Sequence, residues 1–156
     1  MRIFWQTLLS LAIAAPIFAG ALTMEVGNPA NSPEAKIKHL VLVARTTACH
    51  SPAKTDIRAS AEGLVDGRRK SIPLTVIRLS TPGTFGVTRE WPEKGVWTIK
   101  LVATNPDYKN YATGVLAPVE GDAVRWATVK HYFHAPAATE IEAVLGGGSM
   151  ARQQVN

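Results

Sequence analysis

Between residues 37 and 145 the chain is dominated by short runs in which apolar and polar residues alternate. Gly- and Pro-bearing turns separate these runs, and helical periodicity is scarce. Residues 39–44, His-Leu-Val-Leu-Val-Ala, are a continuous apolar run that predicts a strand buried on both sides. Ile57, Ala59 and Ala61 alternate with Arg58, Ser60 and Glu62. Asp66-Gly67 then marks a two-residue hairpin, because glycine accepts positive φ. The returning strand carries Ile72, Leu74 and Val76 on one face before the phase shifts to Ile77 and Leu79, which predicts a bulge near Val76. Pro73 places this strand at a sheet edge, since proline cannot donate to a ladder. Trp97, Ile99, Leu101 and Ala103 face one way and Thr98, Lys100 and Thr104 the other. Further strands are predicted over 111–118 and, as one long element, over 124–133. Only residues 136–145 read as a helix, with Pro136 in its first turn and Gly146 as its cap. The sum is an all-β chain: an antiparallel two-sheet sandwich of about seven strands with a short C-terminal helix. An α/β fold would need helices between the strands, and the connections are too short for them.

Two segments carry a resemblance. Pro82-Gly83-Thr84-Phe85-Gly86-Val87 is followed by Pro92-Glu93-Lys94-Gly95-Val96-Trp97-Thr98-Ile99-Lys100-Leu101. Together they resemble exported bacterial Ig-like and fibronectin-III-like sandwich domains, the YtkA-like family among them. The resemblance implies an Ig-like sandwich with Phe85 and Trp97 filling the space between the sheets. It also implies a tyrosine-corner role for Tyr111. It implies no function, because such folds host many. The paired cysteines common in these sandwiches are absent.

The termini add an address. Residues 1–21 combine Arg2, a mostly apolar stretch and Ala19-Gly20-Ala21, the pattern of a cleaved secretory signal peptide with cut at Ala21/Leu22. The apolar run holds Pro16 and is short for a membrane span, so no stable span is expected after cleavage and the chain is expected to be periplasmic or secreted. Residues 22–36, rich in Pro, Asn, Gly and Ser, read as a linker. Residues 37–145 form the sandwich domain, and 146–156 read as a disordered tail.

The chain has 156 residues, 17 Lys+Arg against 12 Asp+Glu, four His and one Cys. One Cys excludes an internal disulfide and zinc sites with two or more cysteines. Cys49-His50 and His131-x-x-His134 are the clustered soft and imidazole donors, and together they could hold copper or zinc. Strand geometry opposes this, because neighbours and residues three apart point to opposite faces. The alternative is a buried thiol with ordinary histidines, and no cofactor. Cys49 has no triad partner or Gly-rich elbow, so no enzyme is expected.

Arg68, Arg69 and Lys70 form a basic hairpin tip that could meet an anionic surface. Trp91 and Tyr108 lie in or beside loops, where they would either stack on sugars or close the ends of the sandwich. Nucleic acid is not an expected partner, given the modest charge and the lack of a recognition motif. The expectation is an exported non-enzymatic binding or structural module for an envelope protein or polysaccharide, with metal binding through His131 and His134 as the alternative.

Overall fold

The computed structural model describes residues 22–48, 52–109 and 111–153, without the side chains of 147–153. Among these residues the chain forms ten short strands in two sheets, every pairing antiparallel. The smaller sheet holds β1 (Thr23–Gly27), β2 (Leu42–Thr47), β6 (Thr84–Val87) and β5 (Val76–Arg78), in that spatial order. The larger runs β10 (Lys130–Tyr132), β8 (Ala112–Glu120), β7 (Val96–Thr104), β3 (Asp56–Val65) and β4 (Arg68–Leu74), with β9 (Ala123–Val124) paired to β8.

The main core lies between the sheets. Trp97, Ile99, Leu101 and Ala103 of β7 meet Ile57 and Ala61 of β3, Val115 and Ala117 of β8, and Leu42, Ala44, Phe85 and Val87 of the smaller sheet. The alternation read along β7 is therefore the buried face. A second, smaller core sits on the other side of the larger sheet. There Leu116 of β8 meets Ile141, Val144 and Leu145 of helix α2 (Ala138–Gln153), with Val96 and Tyr132 against them. β8 is buried on both faces because one looks to the smaller sheet and the other to α2.

The Asp66-Gly67 hairpin joins β3 to β4, with Asp66 at φ 50° and Gly67 at φ 74°, the left-handed pair of a type I′ turn. β4 is an edge strand, as Pro73 requires. The phase shift after Leu74 is a change of sheet rather than a bulge. Leu74 pairs with Ala59 in the larger sheet, while Val76 pairs with Val87 in the smaller. Thr75 is the corner, its N–H donating to Glu90 Oε1 and its carbonyl accepting from Thr88 N–H. A bulge and a crossover break the two-residue period alike.

Other expectations are corrected. The expected linker 22–36 holds β1, a 3-10 turn (Pro29–Asn31) and helix α1 (Pro33–Ile37). Leu22 and Met24 are buried, and β1 pairs with β2 along its whole length. The prolines that suggested a linker stand in first helical turns, where a missing N–H costs nothing. The side chains of Asn28 and Ser32 cap those turns. β2 starts at Leu42 rather than at 39, and it alternates buried with exposed positions instead of being buried on both sides. The long strand over 124–133 is interrupted by a 3-10 turn (Trp126–Thr128), where the Thr128 N–H and hydroxyl both donate to Arg125 O. The helix does not end at Gly146 to leave a disordered tail but continues to Gln153. Ile141, Val144 and Leu145 anchor it, and glycine weakens a helix by only about 1 kcal/mol per residue.

Candidate functional site

The two histidines proposed for metal face different ways. His131 Nδ1 lies 3.2 Å from Met24 O, so its ring turns toward β1 of the smaller sheet. His134 lies on the helix side. Its ring packs tilted against Tyr132, centroids 5.5 Å apart at 56°, and Nε2 is 3.5 Å from Glu140 Oε1 of α2. Tyr132 sits in the second core, and burial raises its phenol above the usual range, with the Glu140 carboxylate adding to the effect. The sheet thus separates the two imidazoles. Among the described residues, no group of three or more His, Cys, Asp or Glu side chains is placed to hold a metal ion. Cys49 and His50 lie outside the described residues.

The basic hairpin is not a common surface. Arg68, Arg69 and Lys70 lie in β4, where successive side chains alternate. Arg69 turns to the helix side, with its Nε 2.9 Å from Glu142 Oε1 and its guanidinium 3.5 Å from Glu62 Oε2. Glu62, itself buried, also accepts from the Ser60 and Ser71 hydroxyls at 2.6 and 2.8 Å. Arg69 therefore fastens α2 to the sheet. Arg68 and Lys70 are exposed and remain on the opposite face.

Trp91 is no stacking platform. It is 3% exposed, donates Nε1–H to Gly121 O and closes the core. Tyr108 is half-buried in the turn after β7, its N–H donating to Asn105 O. Tyr111 is exposed at the start of β8.

The structure instead assembles a groove from residues far apart in sequence. It is a shallow, solvent-open depression of about 740 Å³, and its cationic lining is Lys36, Lys38, His39 and Arg89. Pro29, Ala30, Leu40 and Val41 supply apolar wall, and Asp122 is the one carboxylate in the lining. Three local devices shape it. Helix α1 ends at Ile37, and the chain reverses through His39 at φ 51°, with His39 N–H donating to Lys36 O and Leu40 N–H to Ala35 O. That is a left-handed helix ending, a position glycine normally fills. Glu34 ties α1 to the far loop, since its Oε2 accepts from both the N–H and the hydroxyl of Ser80. Those bonds, the backbone one first, hold the Glu34 carboxyl below its ordinary range.

Arg89 also lines the groove. Its guanidinium carbon lies 5.7 Å from the Trp91 ring centroid, and Nε stands 2.6 Å from Asp122 Oδ1. This contact has the length of an ion pair but not the alignment of a hydrogen bond, and buried Nε and Nη2 both lack a hydrogen-bond partner. Sequence reading passed over this site because 36–39, Lys-Ile-Lys-His, fell across a linker and the start of a strand. Three basic side chains in four residues were the available signal.

Comparison with protein-family models, curated proteins and solved structures gives no match.

Proposed function

We propose that this chain is an exported, non-enzymatic module with an Ig-like β-sandwich, and that it binds an envelope component through the groove. The observation that carries the reading is the convergence of Lys36, Lys38, His39 and Arg89 on one concave surface. Asp122 and Glu34 stand beside Arg89 and Lys38, and the positive charge left over favours an anionic partner. Export is supported by the small-residue motif at Ala19-Gly20-Ala21, with β1 starting just beyond it at Thr23, so cleavage there leaves the whole sandwich intact.

The test is retention. The purified chain is immobilised and challenged with envelope polysaccharide and envelope protein fractions. The native chain should retain one of them, and a Lys36→Glu/Lys38→Glu variant should lose it while melting at the same temperature. Both lysines are exposed, so reversing their charge leaves the core untouched. Equal retention by the variant, or none by the native chain, overturns the reading.

A further inference from the structure

The Asp66-Gly67 turn fixes which backbone groups of β4 face outward. In a two-residue hairpin the flanking residues, here Val65 and Arg68, exchange both of their backbone hydrogen bonds. Along an antiparallel pair such bonded positions alternate with unbonded ones. β4 pairs with β3 without a bulge from Arg68 to Leu74, so Lys70, Ile72 and Leu74 also turn their backbone groups to β3. Arg69 and Ser71 turn theirs away. So does Pro73, which stands where a missing N–H removes no ladder bond. The larger sheet ends at β4, so these outward groups have no strand beyond them.

The side chains of the same edge add charge. Arg68 and Lys70 share the face of β4 on which Ile72 packs against the main core and Leu74 is buried. Both cations are exposed, and neither has an ion-pair partner among the described residues. Arg69, on the other face, is held by Glu62 and Glu142. Cations on a sheet edge discourage pairing with a strand that carries no opposite charge. β4 of a second copy would bring four such cations to one seam. An acidic strand is the one this edge admits, because opposite charges attract and like charges repel across a strand pair.

We infer that the free edge of β4 takes an extended acidic segment of a partner protein as an added antiparallel strand. The segment exchanges backbone hydrogen bonds with Arg69 and Ser71, and Pro73 ends the pairing because it can only accept. It sets acidic side chains opposite Arg68 and Lys70 and an apolar one opposite Ile72. No residue of β4 lines the groove, so this is a second surface.

The peptide Thr-Val-Thr-Glu-Thr-Glu-Thr carries that pattern in antiparallel order. Its titration into the isotope-labelled chain, with amide exchange read residue by residue, tests the inference. The Arg69 and Ser71 amides should become protected, while those of Arg68 and Lys70, already bonded to β3, should exchange as before. An Arg68→Glu/Lys70→Glu variant should bind about tenfold more weakly, and so should the native chain toward the peptide with lysine in place of glutamate. The Lys36→Glu/Lys38→Glu variant should bind the acidic peptide as the native chain does. Binding that leaves the Arg69 and Ser71 amides unprotected is charge attraction without a strand and overturns the inference. Equal binding of the lysine peptide overturns it too, as does no binding at all, which would make the β4 cations a guard against pairing and nothing more. Loss of binding in the groove variant would put the peptide in the groove and overturn β4 as its site.

Discussion

Gly63 offers a sharp test of the packing between the two sheets. It pairs with Trp97 across β3 and β7, and the indole lies over the place a Cβ would occupy. A Cβ built there would stand 2.2 Å from Trp97 Cε3, 2.4 Å from Cζ3 and 2.6 Å from Cδ2. Carbon atoms rest at about 3.5–4.0 Å, so the ring would have to retreat by more than about 1 Å. It has nowhere to go. Trp97 is 3% exposed, and its Nε1–H donates to Lys94 O at 3.0 Å. Overpacking of this kind costs about 1–3 kcal/mol, and a rigid aromatic neighbour puts Gly63→Ala near the top. The loss of unfolded-chain entropy returns about 0.4–1 kcal/mol. The net expectation is a loss of about 2 kcal/mol, a large share of a typical stability of about 5–15 kcal/mol. Urea denaturation of both single variants and the double variant provides the measurement. Trp97→Ala alone should cost about 3–5 kcal/mol. In that background Gly63→Ala should be neutral or slightly stabilising, because the clash has been removed. A Gly63→Ala midpoint equal to the native one, or two effects that simply add, would refute the packing argument.

Thr98 is fully buried and its hydroxyl has no hydrogen-bond partner. Thr98→Val keeps the shape and removes the orphaned group, so the urea midpoint should rise by an equivalent of about 1 kcal/mol. A fall would show that the hydroxyl is satisfied in solution. The Glu34 and Glu90 carboxyls are both held below the ordinary range, Glu34 by Ser80 and Glu90 by the hydroxyls of Thr75 and Thr88 and then by Thr75 N–H. A lowered folded pKa means a stabilising contribution that is complete above the unfolded pKa and lost as pH falls through the folded one. Stability should therefore decline on acidification below the ordinary carboxylate range, and a Glu34→Gln/Glu90→Gln variant should show a shallower decline. An identical acid limb in native and variant chains would contradict the assignment.

Much of the larger sheet was legible in residue order. The period-two face of Trp97, Ile99, Leu101 and Ala103, the Asp66-Gly67 hairpin and the edge proline Pro73 are local signals, and local signals survive folding when the chain around them is regular. What failed were several inferences that needed to know what lies opposite. Leu22 and Met24 read as linker because only β2 makes them core. The break after Leu74 read as a bulge because the second sheet that receives Val76 is a long-range partner. For Trp91, residue order left a sugar platform and a core plug both open, and the main core decided for the plug. Arg69 looked free until Glu62 and Glu142 reached it from β3 and α2. The groove belongs to the same class. Residue order alone determined that Lys36, Lys38 and His39 are close neighbours. Only the tertiary structure brings them to one groove with Arg89, fifty residues away along the chain, because the β2–β6 pairing that draws the two segments together is a long-range contact that residue order does not show.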